Sequence, residues 1–515
     1  MKTINRIKKI SIFAVAAAMA FASCERNQNE LEIIENPILP VEIMIELGDE
    51  INDPYAIHNI ELAKASLRSA GVNVPTIQAN RKYIRFLPED EDELDLLKSD
   101  STLILFEFPL HYEIAVDGVF YHDPTLPADA LTWQYTVVPI GRELPNVEYE
   151  LLYKVFIPDL DSEESISIRS STGAACFYEL LLRESYKLTG NIQETDDSQI
   201  STRIFNRWHA SGRITMWDNS LRRNIPLGGV AVRARSATRV EEVFTDADGN
   251  FHAGRFIYDV TYSIQWAAPH FSIRAGTISQ AVHNGPKNRR PWYLHLGQTE
   301  NYILPRFYAT IYRAAFHYYY GDIKGLRRPP GNPFSPMRIA AINGTNGPLG
   351  QYNSAAGFFG IGNPIKIWHP ERASRYIYAT TIHELAHASH FSMVGAINFN
   401  ISSSHIKESW ARGVQWELTR MVYTDYRGAL ANREFPTYTN VVIDMIDTQA
   451  DNPNNNGVGE PHDRVSGYTI RQIEDALNGA VTWNGWRDNI KRYNNATRIH
   501  LDALFDYWRD WRNWQ

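Results

Sequence analysis

The chain has 515 residues, of which 44% are hydrophobic, 12% aromatic and 21% charged. This composition is typical of a soluble globular protein, and the length predicts about three domains. The net charge of −8 supplies no basic surface for a polyanion, so we expect no nucleic-acid partner.

Residues 1–24 have the pattern of a targeting segment. An apolar stretch from 10 to 21, too short for a comfortable membrane span, follows four basic residues, Lys2, Arg6, Lys8 and Lys9. The segment ends in Phe21-Ala-Ser-Cys24, which resembles a bacterial lipobox with phenylalanine in the usual position of leucine. The resemblance implies a lipidated Cys24 that anchors the protein in the cell envelope, at the outer membrane, the surface or the periplasmic face. The alternative is an ordinary signal peptide with an incidental cysteine.

Cys176 is the other cysteine of the chain, and a lipidated Cys24 leaves it without a disulfide partner. We therefore expect the mature protein to contain no disulfide and to depend on its hydrophobic cores for stability. Residues 25–40 have the composition of a polar tether between the anchor and the first domain.

Residues 41–204 are predicted to form an α+β domain. Sequence periodicity predicts strands at 41–47, 82–87 and 102–108, and helices at 55–67, 91–98 and 177–188. The β-α-β-α-β order of the first five elements indicates a small sheet with helices on one face, and an acidic run at 90–95 is predicted to be a solvated surface. Such a domain serves either as an inhibitory propeptide or as a spacer, and the sequence does not distinguish the two roles.

Residues 205–290 are predicted to form a β-sandwich, because short alternating strands are separated by turn residues. The segments Pro226–Val232 and Thr245–Phe251 resemble the carboxypeptidase-regulatory-like, immunoglobulin-like modules that are common in secreted bacterial proteins. Three polar residues of the second segment have a calcium-like spacing, namely Asp246, Asp248 and Asn250. The run lacks the glutamate that closes an EF-hand loop, so a turn is the favoured interpretation.

Residues 300–515 are predicted to form a mostly helical domain that contains the chemistry. It begins with an aromatic-rich helix at 305–320 and continues with strands at 337–342 and 362–368. The second strand comes just before the central motif of the chain. Its free edge, at 364–368, is predicted to align an extended substrate.

The central motif is His383-Glu384-Leu-Ala-His387. Two histidines four residues apart lie on one face of a helix and can reach a single metal ion, while Glu384 can hold and deprotonate a water. Glu384 is the only Asp, Glu, Lys or Arg between Tyr376 and Ile406, and apolar residues surround it on the whole circumference of the helix. A buried carboxylate is costly unless a cation compensates its charge. The alternative is a core helix whose histidines make ordinary hydrogen bonds.

A metal site with two histidines needs a third protein ligand. A metzincin would have a glycine and a histidine at the two positions where this chain has His390 and Met393, so that class is excluded. A helix predicted at 402–423 offers Glu408 and Glu417 on opposite edges of its apolar stripe. Helical periodicity alone does not choose between the two glutamates.

The motif, followed after 20 residues by Glu408-Ser-Trp-Ala411, resembles the gluzincin zinc metallopeptidases. The resemblance covers roughly residues 335–425 and rests on two short motifs. It implies a zincin-like fold, a Zn²⁺ ion held by His383, His387 and Glu408, and Glu384 as the general base. Arg412 occupies the position of an acid that braces a histidine in some gluzincins, so the bracing group has to come from elsewhere.

Gluzincins also use a histidine or tyrosine from the C-terminal part of the chain to stabilise the oxyanion. The resemblance leaves two candidates for this catalytic role, Tyr468 and His462, of which we prefer Tyr468. His390 and His405 are interpreted either as supports of the site or as ordinary core and surface residues.

The sequence as a whole predicts an α+β multidomain, membrane-anchored zinc metallopeptidase that hydrolyses a peptide or protein substrate. Its predicted parts are an N-terminal α/β-sheet domain, a central immunoglobulin-like β-sandwich and a C-terminal, mostly helical, zincin-like domain. One alternative is a non-catalytic surface-binding or adhesion lipoprotein that retains the zincin scaffold, against which the intact Glu384 argues. The other alternative is a zinc hydrolase that acts on glycopeptides.

Overall fold

The computed structural model describes residues 41–100, 102–160, 177–192, 207–333, 335–359, 363–428, 437–447 and 464–510. Within these ranges the protein is mixed α/β, with several separate β-sheets and a helical C-terminal region. The predicted targeting segment with Cys24, the tether, Cys176 and His462 lie outside the described residues. No helix in the described ranges combines the length and the hydrophobicity needed to cross a bilayer.

The first unit, described over 41–192 with its gaps, contains two small antiparallel sheets and three helices. Its strands are β1 (Glu46–Glu50), β2 (Arg81–Phe86), β3 (Tyr112–Val116), β4 (Gln134–Pro139) and β5 (Tyr149–Val155). Its helices are α1 (Ile57–Ser69), α2 (Glu91–Ser99) and α3 (Phe177–Leu188), all three close to their predicted bounds. The single predicted sheet is wrong, because β1 pairs with β3 whereas β2 lies between β4 and β5.

The predicted strand at 102–108 is also wrong, since apart from one isolated bridge this segment joins no sheet. Arginines of the following unit bind backbone carbonyls in and just after it. Arg233 Nη1 donates to the Leu105 carbonyl at 2.8 Å, and Arg235 Nη1 donates to the Leu110 carbonyl at 2.9 Å. A carbonyl that is satisfied by a side chain needs no neighbouring strand, so the apolar pattern here reflects burial alone.

The second unit contains two four-stranded sheets. Its strands are β6 (Trp208–Asp218), β7 (Arg223–Pro226), β8 (Ala231–Ser236), β9 (Arg239–Phe244), β10 (Asn250–Phe256), β11 (Val260–Gln265), β12 (Ala267–Ala268), β13 (Phe271–Ala275), β14 (Ser279–Gln280), β15 (Val282–Asn288) and β16 (Trp292–Leu296). One sheet has the order β10-β6-β16 with β7 beside β6, and the other has the order β15-β11-β8-β9. Apolar residues of both sheets share one core. Asp246 accepts bonds from the Asp248 and Asn250 N–H groups at 2.9 and 2.8 Å, which is the predicted turn.

Counted from β6 onward, there is a third sheet, and we keep that name for it below. It combines strands from both sides of the predicted boundary between the second and third domains. β13 pairs in parallel with β17 (Met337–Ala341), and β17 pairs in parallel with β19 (Ile365–Ile367). β18 (Gly350–Tyr352) completes the order β12-β13-β17-β19-β18. The prediction that 364–368 offers a free edge is wrong, because β19 lies between two strands. The edge strand is β18. The prediction used only the position of 364–368 in the sequence, just before the motif, and that position does not determine the order of strands in the sheet.

The C-terminal region is built from eight described helices. They are α4 (Ile303–Tyr320), α5 (Ser354–Phe359), α6 (Ser374–Ile401), α7 (Ser404–Val422), α8 (Val441–Ile446), α9 (Ile470–Asp475), α10 (Trp483–Ile490) and α11 (Leu501–Asp510). α6 packs against α4 and α7 on one side and against β18 and β19 on the other. One continuous core extends from the second unit through α4 to α11, whose Leu501, Phe505 and Trp508 are buried as predicted.

Buried ion pairs attach the first unit to the third sheet. Arg338 on β17 contacts Glu91 on α2 at 3.1 Å (Nη1–Oε2) and Asp95 at 2.5 Å (Nη2–Oδ2). The predicted solvated acidic surface at 90–95 is wrong for Asp95, which is 7% exposed, whereas Asp90 and Asp92 are exposed. Glu91 and Asp95 pair with an arginine that lies 247 and 243 residues later in the chain, and no local pattern indicates such a contact.

Candidate metal centre

Helix α6 carries the motif through the interior of the protein. Every residue from Ile377 to Phe391 is buried, and Glu384 is 0% exposed. The predicted burial on all sides is therefore confirmed. The helix can be apolar around its circumference because α4, α7 and the third sheet enclose it.

The β6–β7 turn of the second unit fixes the start of α6. The residue that precedes α6, Ala373, makes no side-chain cap. Instead the Ser374 N–H donates to Asn219 Oδ1 at 2.7 Å, and the Arg375 N–H donates to Ser220 Oγ at 3.0 Å. Two of the helix's unpaired N–H groups are thus satisfied by a different part of the chain.

Asp218, in the same turn, joins the second unit to two helices of the site. Its buried carboxylate accepts from Arg313 Nη1 of α4 at 2.8 Å and from the Tyr423 hydroxyl, just after α7, at 2.7 Å. Backbone N–H groups of Ser220 and Leu221 donate to its other oxygen at 3.0 and 2.9 Å. These four bonds compensate the burial of the charge and hold α4 and α7 beside α6.

Helix α7 supplies the third donor, a carboxylate. Its N-cap is Ser403, whose Oγ accepts from the Ile406 N–H at 3.4 Å, so the predicted serine cap is confirmed. Glu408, in the second turn, faces the two histidines of α6. Glu417 pairs with Arg420 on its own helix instead. Of the two glutamates that periodicity left open, the structure brings Glu408 to the motif.

The side chains of His383, His387 and Glu408 form one buried cluster that could hold a metal ion. The two histidine Nε2 atoms are 3.2 Å apart. Glu408 Oε2 lies 3.3 Å from Nε2 of His383 and 3.2 Å from Nε2 of His387. The three donor atoms therefore form a nearly equilateral triangle.

This triangle fits a small divalent ion. Ligands at about 2.0–2.1 Å from a tetrahedral ion are separated from one another by about 3.3–3.4 Å. The observed separations of 3.2 and 3.3 Å agree with that edge length. Two imidazoles and one carboxylate are also a donor set that suits zinc and other late first-row metals.

Burial and neighbouring charges act in opposite directions on the pKa values of the cluster. Burial alone would lower the pKa of His383, but the carboxylates of Glu408 and Glu384 outweigh it and raise that pKa above its usual value. Burial alone would raise the pKa of Glu408, but His387 and His383 hold it well below its usual range. Glu408 is therefore ionised at physiological pH, and the cluster attracts cations.

Gln415 braces His383, and the sequence did not identify it. Gln415 Oε1 lies 3.1 Å from Nδ1 of His383, and Gln415 Nε2 donates to the Tyr426 hydroxyl at 2.9 Å. With Nδ1 donating to this amide oxygen, the Nε2 lone pair of His383 is directed at the cluster. The signal that could have found Gln415 is its position seven residues after Glu408, on the same face of α7.

Arg412, where some gluzincins have an acid, serves another purpose. Its Nη1 donates to the Tyr438 carbonyl at 3.2 Å. The Tyr438 ring in turn stacks on the His383 ring, with centroids 5.9 Å apart and planes inclined by 17°. Arg412 thus holds the segment that places an aromatic hydroxyl-bearing side chain beside the cluster.

Glu384 lies against the edge strand β18. A methyl group added to Gly350 would lie 2.5 Å from Glu384 Oε1 and 2.6 Å from a side-chain carbon of Thr380. Only glycine allows the strand to approach the carboxylate this closely. The residue that could act as base therefore faces the one edge of the third sheet that lies beside α6.

Of the two sequence candidates for an oxyanion-stabilising residue, the structure describes only Tyr468, and no described contact brings it to the cluster. His462 lies outside the described residues. Tyr468 is buried in the C-terminal core, where its N–H donates to the Met445 carbonyl at 2.9 Å, and none of its described contacts reaches His383, His387 or Glu408. The Tyr438 ring, in contrast, lies beside the cluster, stacked on His383. No sequence motif surrounds Tyr438, so the sequence analysis did not identify it.

Neither ring nitrogen of His390 has a hydrogen-bond partner among the described residues. The His390 ring packs against Phe399 at 5.2 Å, and burial, followed by the charges of His387 and Lys407, lowers its pKa to about 3. His405 packs against Trp483 at 5.8 Å. His390 is therefore a neutral core residue.

Comparison with known proteins finds no family model, no curated protein and no solved structure that matches this chain.

Proposed function

We propose that the protein is a zinc metallopeptidase of gluzincin type. The observation that carries this proposal is the combination of a buried three-donor triangle with a separate buried carboxylate, Glu384, on the same helix. A site that only stored or structurally required a metal would gain nothing from an additional buried acid next to it. A metal site with three protein ligands leaves a further position open for water and substrate.

The chain's residues have distinct roles in the proposed reaction. When bound by His383, His387 and Glu408, zinc supplies a Lewis acid that lowers the pKa of the attacking water and polarises the scissile carbonyl. Glu384 accepts the proton of that water and then transfers it to the leaving amine. Tyr438 is our candidate to donate a hydrogen bond to the developing oxyanion.

An extended peptide is the substrate shape that suits the edge strand. β18 ends the order of the third sheet, and its residue Gly350 lies against Glu384. Main-chain groups of a substrate can pair with such an edge as an added strand, which would place a scissile bond near the carboxylate. This assigns to β18 the role that sequence position gave to 364–368.

The cellular setting is proposed from sequence resemblance. A lipidated Cys24 and a tether over 25–40 would hold the protein at a bacterial membrane, with the peptidase facing outward from it. The second unit would then be an immunoglobulin-like module, and the third region a zincin-like domain.

The first test is metal analysis of the purified protein and of three variants. We expect about one zinc per wild-type chain. His383→Ala and Glu408→Ala should lose it, whereas Glu417→Ala, a matched removal of a glutamate from the same helix, should keep it. Zinc retained by Glu408→Ala would contradict the assigned ligand set.

The second test separates catalysis from binding. Glu384→Gln should keep zinc and lose peptide hydrolysis by about 10²–10⁴-fold, because a general base is removed without disturbing a ligand. Wild-type protein that holds zinc yet cleaves nothing in a broad peptide library would instead favour the non-catalytic binding protein. Cleavage restricted to glycosylated peptides would favour the glycopeptide hydrolase.

A further inference from the structure

A cavity of about 360 Å³ lies between the first and second units. It is bounded by the end of α3, the β8–β9 hairpin and the end of β15, and no residue of the metal centre lines it. Its volume is in the range of small-molecule sites, which are often found at domain interfaces.

The wall formed by the β8–β9 hairpin is held in an unusual conformation. Ala237 at the hairpin tip has a φ of +46°, which is unfavourable for a residue with a side chain. The next residue, Thr238, donates from Oγ1 to the buried Asp53 of the first unit at 2.7 Å. Contacts with the first unit therefore stabilise the strained tip, and such strain is often found where a chain shapes a ligand site.

The charge of the lining is positive. Among the described lining residues, Arg235, Lys287 and Arg289 are cationic and Asp259 is the acid. Arg235 is 4% exposed and has the Leu110 carbonyl as its hydrogen-bond acceptor, with no carboxylate within ion-pairing distance in the described ranges. A buried guanidinium that lacks a carboxylate partner is costly, and an anionic ligand would compensate it.

The remaining lining suits a ring that carries hydroxyl groups. The Tyr186 and Tyr258 rings stack on each other, with centroids 4.2 Å apart, and both line the cavity. Asn191 Oδ1 and the Thr261 hydroxyl can bond to ligand hydroxyls, while the Asn191 amide nitrogen donates to the Asn52 carbonyl and to Thr189 Oγ1, each at 2.8 Å. Aromatic faces pack against the C–H faces of a sugar ring, while cations bind its acidic group.

We propose that this cavity is a second ligand site, which binds an acidic sugar whose carboxylate pairs with Arg235. The site is independent of the metal centre, and it would add recognition of acidic saccharides to whatever reaction the metal centre performs. Lys287 and Arg289 lie at its exposed rim, where Lys287 is ion-paired with Glu113 of the first unit at 2.5 Å and Arg289 adds positive charge that attracts the anion.

Three probes test the two parts of the proposed ligand by calorimetric titration of the full chain. Glucuronic acid has both the ring and the carboxylate, glucose has the ring alone, and acetate has the carboxylate alone. We expect saturable binding of glucuronic acid, at least about tenfold tighter than that of glucose or acetate. Equal binding of acetate would reduce the cavity to a simple anion site and overturn the proposal. So would equal binding of glucose, or no saturable binding of glucuronic acid.

Variants then locate the binding. Arg235→Gln should lower the affinity for glucuronic acid by about tenfold or more, since the pair between the guanidinium and the carboxylate is lost. Because Arg235 also holds the Leu110 carbonyl, Lys287→Gln provides a second variant, which removes only an exposed ion pair to Glu113 of the first unit and should weaken binding about two- to fivefold. Lys324→Gln is the matched control, because Lys324 is an ion-paired surface lysine of similar exposure (47% against 50%) that does not line the cavity. Unchanged affinity in both Lys287→Gln and a folded Arg235→Gln would overturn the assignment. His383→Ala should bind glucuronic acid as the wild type does.

Discussion

Removal of the Gln415 side-chain amide should weaken metal binding although Gln415 is not a ligand. In Gln415→Leu the Nδ1–H of His383 loses its acceptor, which lies at 3.1 Å in the wild type, and the imidazole is free to rotate away from the triangle. Loss of a group that orients a metal-bound histidine costs about 10–100-fold in metal affinity. That range corresponds to about 1.4–2.8 kcal/mol.

Gln415→Glu distinguishes orientation from mere packing. A carboxylate accepts the Nδ1–H bond more strongly than an amide does, so zinc affinity should stay within a few-fold of the wild type or increase. The matched control is Thr419→Val, one turn further along α7. Thr419 is fully buried and its hydroxyl has no hydrogen-bond acceptor among the described residues, so this change should leave zinc affinity unaltered.

The measurement is the zinc dissociation constant, determined by competition with a chromophoric chelator at fixed pH. The thermal unfolding midpoint of each metal-free variant shows whether α7 remains folded. The reasoning is refuted if Gln415→Leu, folded as the wild type is, binds zinc within about twofold of the wild type. It is also refuted if Gln415→Glu lowers the zinc affinity as much as Gln415→Leu does.

Three further outcomes follow from the contacts described above. Gly350→Ala should keep zinc but lower turnover by about 100-fold, because the added methyl group displaces the Glu384 carboxylate; parallel measurement of zinc content and turnover tests this. Asp218→Ala should lower the free energy of unfolding in urea by about 2–3 kcal/mol, since it removes the buried carboxylate that pairs with the partly buried Arg313. Asp248→Ala, at an exposed position, should lower it by less than about 0.5 kcal/mol. Zinc affinity should rise about tenfold per pH unit up to the raised pKa of His383, because below that pKa the metal has to displace a proton; an affinity independent of pH between 5 and 7 would contradict this.

The metal cluster was predictable because its signals are local. Two histidines at i and i+4 lie on one face of a helix, and a single acid in an otherwise apolar helix indicates that a cation compensates its charge. The third donor was different. Periodicity left Glu408 and Glu417 equivalent, and only the resemblance to gluzincins selected the glutamate that the structure brings to the histidines.

The supporting residues were not predictable, because tertiary contacts select them. Gly350 matters only once β18 is known to be the edge strand, and strand order is not written in the local pattern. Tyr438 reaches His383 because Arg412 binds its carbonyl. The same limit explains the error at 102–108, where alternating apolar residues pack against arginines rather than joining a sheet.

The capping of α6 by Asn219 and Ser220 means that the predicted catalytic domain is not an autonomous fragment. A protein truncated to residues 300–515 would begin its central helix, α6, with unsatisfied N–H groups and would expose the β17 edge that β13 covers. Such an excision should aggregate. Residues 205–515 should therefore be kept together when the protein is expressed in fragments or when domains are exchanged between related proteins. Within this segment the second unit is part of the scaffold of the metal centre.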